Sequence, residues 1–321
     1  MNFLRLTCPG KVFILGEYAV LAGGSALVVA TAPQFAITAT KGSLSGSLNG
    51  YLTPDSLENR QSQLFAPESP AGRWLSERLE KEPDLLKDWQ MLWKDPYKTP
   101  IGVGSSSAQF ILARGLTQQP PELESVLKDY WRIVGSTQGL RPSGADVAVQ
   151  LVGGAIHYTA PTYRSLCRWP QNSDSNFLLA FTGSKMRTHE HLQELQKKEF
   201  PEKFSIHIQA LNQLTLYGID YWESGDARGL GQIMNAYQAA LAGALALHSQ
   251  GFLEYQKKIS ALRSLPGVYG CKGSGAQGGD CILLLVDHHE MASVKQRVID
   301  HGCEPIDLEF SQDGLKTSTT F

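Results

Sequence analysis

The pattern of apolar and polar positions along the chain predicts a protein that mixes strands and helices throughout. Short apolar runs bounded by glycine, proline and polar residues favour strands, whereas apolar positions that recur every three to four residues favour helices. The predicted strands cover residues 12–15, 26–32, 35–40, 155–159, 177–182, 268–271, 281–286 and 304–310. The predicted helices cover residues 73–86, 121–135, 189–198, 205–222, 227–247, 252–262 and 289–300. We expect a loose tail after residue 310, and an α+β or α/β protein overall.

Composition narrows the class of protein. The 321 residues are 42% hydrophobic and 19% charged, which is typical of a globular protein with a substantial core, and the length suffices for two domains. The net charge of -2 argues against bulk electrostatic binding to nucleic acid or to an anionic membrane. The apolar stretch 12–32 is interrupted by Glu17 and by a pair of glycines, so it predicts neither a signal peptide nor a membrane span. We therefore expect a cytoplasmic protein.

The cysteines predict neither a metal site nor a redox motif. There are five, they are widely scattered, and no CxxC pair occurs among them. We expect all of them to be buried or half-buried thiols.

A glycine- and serine-rich segment lies in the middle of the first half, at Gly102-Val103-Gly104-Ser105-Ser106-Ser107, before the apolar run 108–112. Glycines let the backbone approach a ligand closely, and the first N–H groups of a helix attract an anion. A serine hydroxyl is also a suitable ligand for a Mg²⁺ ion that bridges phosphates. The alternative is a simple helix start that serine side chains cap.

A second glycine-rich segment covers residues 272–281 and contains G-x-G-x-x-G at Gly273, Gly275 and Gly278. The dinucleotide-binding fingerprint must open a helix, whereas the run 281–286 that follows is a predicted strand. A Walker A motif is absent as well, because no Ser or Thr follows Gly10-Lys11. So many small residues favour a ligand-binding loop over a plain hairpin turn.

A further segment lies near the N-terminus, at residues 9–21, where Lys11 and Glu17 bracket an apolar strand. On its own this segment is better explained by a surface ion pair. In chain order these are the first segment (residues 9–21), the middle segment (residues 102–107) and the third segment (residues 272–281). Together, in chain order, they resemble the three motifs of the GHMP kinases, the galacto-, homoserine, mevalonate and phosphomevalonate kinases. The run Gly16-Glu17-Tyr18-Ala19-Val20-Leu21, the turn Ser143-Gly144-Ala145-Asp146 and the run Gly278-Gly279-Asp280-Cys281 are most similar to the phosphomevalonate kinases.

This resemblance implies a two-domain α+β fold. The N-terminal domain, residues 1–165, would hold a mixed sheet with helices and the nucleotide-binding loop. The C-terminal domain, residues 166–321, would be ferredoxin-like. ATP and the acceptor would meet in the cleft between the two domains.

The resemblance also implies a role for each matching residue, with ATP and Mg²⁺ as cofactors. Lys11 would neutralise charge near the transferred phosphoryl group, and Asp146 would orient or deprotonate the acceptor or stabilise Lys11. The nucleotide would contact Gly102, Gly104, Ser105, Ser106 and Ser107, with Ser106 as the magnesium ligand. The substrate would contact Glu17, Tyr18, Ser143, Gly144, Ser274, Gly275 and Ala276.

The implied reaction is transfer of a phosphoryl group from ATP to 5-phosphomevalonate, which gives 5-diphosphomevalonate. An acceptor with a phosphate and a carboxylate needs cationic partners, and Lys185 and Arg187 after the strand 177–182 are the candidates. Solvent-exposed charge is the alternative for both. The expected partner is a small carboxylic acid that is phosphorylated or hydroxylated, with no nucleic acid or membrane. The oligomeric state stays open, with a homodimer as one option.

Four departures from the family pattern leave the acceptor open. Gln277 and Ser107 replace a usual glycine and alanine, Phe181 replaces a usual tryptophan, and Gly135 stands where mevalonate kinases carry a metal-binding glutamate. Mevalonate kinase or another GHMP kinase is therefore an alternative. A diphosphomevalonate decarboxylase is disfavoured, because its Asn-containing first motif and Tyr-Trp-Gly-Lys run are absent. A non-catalytic binding protein is the third alternative, and the retained Lys11 argues against it.

Overall fold

The computed structural model describes residues 3–41, 64–97, 101–118, 122–135, 142–170, 174–183, 200–245, 250–275 and 281–320. Within these ranges the protein consists of two antiparallel sheets and eight α-helices. No helix in the described ranges is long and apolar enough to cross a membrane.

The first sheet is built around two long neighbouring strands, β1 (Phe3–Leu15) and β2 (Ala26–Lys41). β2 is one continuous strand that includes both strands predicted at 26–32 and 35–40. Pro33 lies between them, and the register with β1 shifts at that point, so the strand continues past the proline. The sheet order is β11-β1-β2-β4-β5, and two short strands, β3 and β10, also pair with β2. The other strands are β3 (Trp89–Lys94), β4 (Ala155–Thr159), β5 (Thr162–Leu166), β10 (Glu309–Phe310) and β11 (Lys316–Thr320). The prediction of a mixed sheet is not met, since all its described pairings are antiparallel.

Helices cover both faces of this sheet, which explains why β2 reads as a nearly continuous apolar run. Leu27 and Val29 face one buried cluster with Phe110, whereas Val28 and Ala30 face another. The helices of this half are α1 (Pro70–Lys81), α2 (Ser105–Thr117), α3 (Leu123–Gly135) and α4 (Ala145–Val152).

The second sheet has the order β7-β8-β6-β9, with β6 (Ser175–Phe181), β7 (Val268–Ser274), β8 (Cys281–Asp287) and β9 (Glu304–Asp307). Its helices are α5 (Phe200–Ser224), α6 (Ala227–Leu245), α7 (Gln250–Arg263) and α8 (Met291–Asp300). Among the described residues, the chain order of this half is β6, three helices, β7, β8, α8 and β9, and the sheet is antiparallel. This is the ferredoxin-like arrangement, which confirms that prediction. Asp226 caps α6, because its Oδ1 accepts the Gly229 N–H at 2.9 Å. The helix predicted at 189–198 lies outside the described residues.

The C-terminal tail is ordered, and the prediction of a loose tail is wrong. β11 pairs with β1 from Phe3–Thr320 to Thr7–Lys316. β11 consists of polar residues on an exposed sheet edge, so it carries no hydrophobic signal. The strand predicted at 304–310 also divides, with β9 in the second sheet and β10 in the first. The chain therefore returns to the first sheet after its second, and the division at residues 165 and 166 stays a prediction.

Two other strands and one cysteine also differ from the sequence-based picture. β3 is only half-buried and β5 is almost fully exposed. Neither strand was predicted, because neither shows the apolar run that burial imposes on a strand. Cys8, Cys271, Cys281 and Cys303 are buried thiols, but Cys167 is exposed.

Candidate active site

The backbone and side chain of Lys11 meet the middle glycine-rich segment. The Lys11 N–H donates to the Val103 carbonyl at 2.9 Å. A Cβ added to Gly104 would lie 2.9 Å from Lys11 Cγ and 3.1 Å from Lys11 Cε. Gly104 also has φ +84°, a conformation that favours glycine. The first and middle segments therefore come together at the Lys11 side chain.

The middle segment leads directly into α2, and Gly104 is the N-cap residue without a side-chain capping hydrogen bond. The serines that follow lie inside the helix. Ser107 Oγ donates to the Gly104 carbonyl at 3.0 Å, Ser105 Oγ donates to Asp95 Oδ2 at 3.3 Å, and Ser106 is exposed. The alternative of a serine-capped helix start is therefore wrong. A helix that begins this way keeps its first N–H groups and its positive dipole end available to an anion.

Asp146 is half-buried in the first turn of α4, whose N-cap residue is Gly144 with φ +82°. The turn before it is held by two hydrogen bonds of Ser143. Its carbonyl accepts the Tyr158 hydroxyl at 2.7 Å, and its Oγ accepts the Ala145 N–H at 3.3 Å. Burial, and then the Asp146 charge, raise the pKa of the Tyr130 hydroxyl well above its usual value.

Gln150 is a buried residue of the site that sequence reasoning missed. It lies one turn beyond Asp146 on α4 and is fully buried. Its Nε2 donates to the Pro9 carbonyl at 2.9 Å and to the Gly104 carbonyl at 3.0 Å. One side chain thus connects the first segment, the middle segment and the helix of Asp146. The only signal in the sequence is a glutamine in a helix that is apolar apart from Asp146.

Glu17 is buried, and its partner is Lys272 rather than Lys11, so the surface ion pair considered for the first segment is wrong. Glu17 is 5% exposed and Lys272 is fully buried, and Lys272 Nζ donates to Glu17 Oε1. Lys272 Nζ also lies 3.4 Å from the Phe13 carbonyl. The pair joins the end of β1 in the first sheet to β7 in the second sheet.

Tyr18 follows Glu17 into the interior. It is 4% exposed, has φ +66°, and its pKa is raised by burial and then by the Glu17 charge. Nearby, the Tyr237 hydroxyl donates to the Glu17 carbonyl at 2.6 Å. Glu17 therefore lies beside Lys272 at the start of the third segment, and the contact of Glu17 and Tyr18 with substrate stays a prediction.

The third segment begins at the end of β7. β7 is an edge strand, and side chains of α6 accept hydrogen bonds from two of its backbone N–H groups. The Gly273 N–H donates to Gln238 Oε1 at 2.8 Å, and the Cys271 N–H donates to Asn235 Oδ1 at 2.9 Å. Ser274 ends the strand, and Gly275 has φ +79°. The remaining predicted contacts lie outside the described residues, namely Ala276, Lys185 and Arg187.

Replacing Lys272 by methionine is expected to lower the free energy of unfolding by about 3–5 kcal/mol, because the Glu17 carboxylate would stay buried without a countercharge. The variant Glu17→Gln/Lys272→Met removes both charges and should regain most of that loss. Chemical denaturation of both variants beside the wild type measures the difference. A double variant as unstable as Lys272→Met would contradict the pairing.

No group of three or more His, Cys, Asp and Glu side chains in the described ranges is arranged to hold a metal ion. Mg²⁺ commonly binds through substrate phosphates and waters with few protein ligands. The exposed Ser106 hydroxyl at the start of α2 fits that mode. The residues present therefore suit a magnesium ion that arrives with a nucleotide.

Comparison with known proteins places the whole chain beside two kinds of kinase. No family model matches the chain. The chain is 24% identical to a mevalonate kinase of Aeropyrum pernix, with 97% of each sequence covered. It is 26% identical to a phosphomevalonate kinase of Streptomyces sp. strain CL190, over 96% of this chain and 97% of the relative.

Solved structures agree on the fold. The Methanococcus jannaschii mevalonate kinase superposes with a TM-score of 0.69 at 17% identity, over 95% of this chain and 98% of that one. A Streptococcus pneumoniae phosphomevalonate kinase in complex with phosphomevalonate and AMPPNP gives a TM-score of 0.69 at 16% identity, over 95% and 99%. The two-domain α+β architecture implied by the three motifs is thus confirmed.

Proposed function

We propose that this chain, which has the fold of the GHMP kinases and resembles mevalonate and phosphomevalonate kinases over its full length, is an ATP-dependent small-molecule kinase. One observation carries the proposal. The Lys11 side chain lies against Gly104 at the start of α2, where no side chain caps the helix. A cation beside a helix N-terminus is the arrangement that phosphoryl transfer needs, since that reaction depends on positioning and charge stabilisation.

The nucleotide triphosphate would bind along Gly102, Gly104, Ser105, Ser106 and Ser107. Ser106 would take part in holding Mg²⁺, which, when bound, offsets charge on the phosphates. Lys11 would stabilise negative charge on the transferred group, and Asp146 would orient the acceptor oxygen. These roles rest on the motif match and on the proximity of Lys11 to Gly104.

We propose 5-phosphomevalonate as the acceptor, with 5-diphosphomevalonate as the product. The support is the form of the first and third motifs and the Streptomyces relative. Lys185 and Arg187 would bind the acceptor's anionic groups, and the enzyme would act in the cytoplasm. Mevalonate is the second candidate, because the relatives also include mevalonate kinases at similar identity.

The experiment is a coupled assay of ADP release with ATP and Mg²⁺, run in parallel with 5-phosphomevalonate and mevalonate. Release with 5-phosphomevalonate alone would support the proposed acceptor, and release with mevalonate alone would replace it. If neither acceptor gives ADP and a panel of sugar and amino-acid alcohols also fails, the non-catalytic binding protein becomes the better explanation.

As a matched test of the acceptor site, Lys185→Ala/Arg187→Ala should raise the KM for the acceptor far more than the KM for ATP.

A further inference from the structure

We infer that Gln150 is a positioning residue that fixes the orientation of the phosphate-binding backbone relative to Lys11 and Asp146. The inference rests on the proposed function and adds to it a residue that none of the three motifs contains. Gln150 is fully buried, yet its amide nitrogen donates to two carbonyls on two different segments.

The first of these carbonyls belongs to Pro9, two residues before Lys11. The register of β1 with β2 shifts between Cys8 and Gly10, so Pro9 has no partner in the strand ladder. A buried carbonyl without a strong donor is costly. The Cys8 thiol approaches the Pro9 carbonyl only as a weak donor at 3.7 Å, and Gln150 supplies the amide donor at 2.9 Å. The amide thus stabilises the irregularity from which the strand continues into Lys11.

The second carbonyl belongs to Gly104 and accepts three hydrogen bonds. The donors are the Ala108 N–H, Ser107 Oγ and Gln150 Nε2, each at 3.0 Å. The Gly104–Ser105 peptide is not among the cis bonds of the protein. In a trans peptide the N–H points opposite to the C=O, so a carbonyl held inward turns the Ser105 N–H outward, in front of the helix. An anion at the start of α2 would meet that N–H.

Gln150 therefore connects the strand that leads into Lys11 and the start of α2 to α4, the helix that carries Asp146. Asp146 lies one turn earlier on α4, so the two side chains lie on the same face of the helix. Few side chains can replace this amide. Glutamate would bring a carboxylate oxygen toward two carbonyl oxygens, and methionine has a similar shape but no donor.

One atom of Gln150 adds a second, independent sign of functional constraint. Its Oε1 is buried and has no hydrogen-bond partner in the described part of the chain. An unsatisfied buried oxygen is a cost that packing alone would not favour over an apolar side chain. Its presence is explained if the two hydrogen bonds of Nε2 are what the site requires.

The test compares Gln150→Met and the milder Gln150→Asn with a control at the far end of α2, Thr117→Val. Thr117 is buried and its Oγ1 accepts the Trp74 indole N–H at 2.8 Å, so the control also loses a buried hydrogen bond. It lies roughly 18 Å from the start of the helix, at 1.5 Å per residue. Binding of AMPPNP is measured first by titration calorimetry, and steady-state kinetics follow at a temperature below all unfolding transitions.

For the Gln150 variants we expect AMPPNP affinity and kcat/KM for ATP to fall by about tenfold to hundredfold, the range that a small misplacement of reacting groups produces. The KM for the acceptor should change much less, and Thr117→Val should keep wild-type kinetics despite a lower melting temperature. Wild-type AMPPNP affinity and kcat/KM in folded Gln150→Asn would overturn the inference, as would an equal loss in Thr117→Val. A wild-type protein that does not bind AMPPNP would instead refute the proposed function.

Discussion

Replacing Lys11 by methionine is expected to lower kcat by about 10³-fold, since removal of one preorganised group that stabilises transition-state charge has effects of that order. The Lys11 side chain lies against Gly104, next to the N-terminus of α2, and its Nζ lies 5.0 Å from the centre of the Phe13 ring. We expect the ammonium group to act from there on the phosphate charge that develops at the start of α2. Methionine has a similar length and apolar stem, so the packing of that stem on Gly104 should survive.

The measurement is single-turnover and steady-state ADP release, with melting temperature as the check on folding. A matched control is Lys41→Met, which makes the same chemical change on an exposed residue at the far end of β2. We expect wild-type turnover from the control. A kcat within a few-fold of wild type for Lys11→Met, in a protein that folds normally, would exclude Lys11 from the transition state.

The sequence predicted the architecture best where burial imposes a periodic pattern. β4 was predicted with its observed bounds, and α6 and β8 to within a few residues, because each is long or largely apolar and buried. β5 and β11 were missed for the converse reason. They are exposed and polar, and they are strands because neighbouring strands offer them backbone hydrogen bonds.

For the candidate site, the sequence identified glycines and charges but not the contacts between them. The approach of Lys11 to Gly104 follows from the three motifs only through the family resemblance. The Glu17–Lys272 pair and the hydrogen bond from the Gln150 amide to Pro9 join residues that lie more than a hundred positions apart in the chain. No local pattern encodes such a partner, because a buried polar side chain in an apolar helix looks the same whether it contacts its own backbone or a distant loop. The tertiary structure is needed to tell these cases apart.

Replacing Asp146 by asparagine is expected to lower kcat by about 10²–10⁴-fold if the acceptor is an alcohol, which is the usual contribution of a general base. The carboxylate would then take the proton of the attacking hydroxyl. Asparagine keeps the size and the place in the first turn of α4, so the Tyr158–Ser143 hydrogen bond beside it should persist. Asp129→Asn is the control, because it makes the same change on α3 at the partner of Arg114, where the cost falls on stability.

The same variant distinguishes the two proposed acceptors. A phosphate monoester has its second pKa near 6 and is largely ionised at pH 7.5, so its oxygen needs no base. With 5-phosphomevalonate the loss should therefore be smaller, about 10-fold to 10²-fold, and should come from lost orientation. The kcat of Asp146→Asn is measured from pH 6 to 9 with the acceptor that wild type uses. A wild-type kcat at every pH would exclude Asp146 from catalysis. A loss that exceeds 10³-fold with 5-phosphomevalonate would contradict the orienting role. Asp146 would then transfer a proton or stabilise a charge, which the reaction of an ionised phosphate does not require.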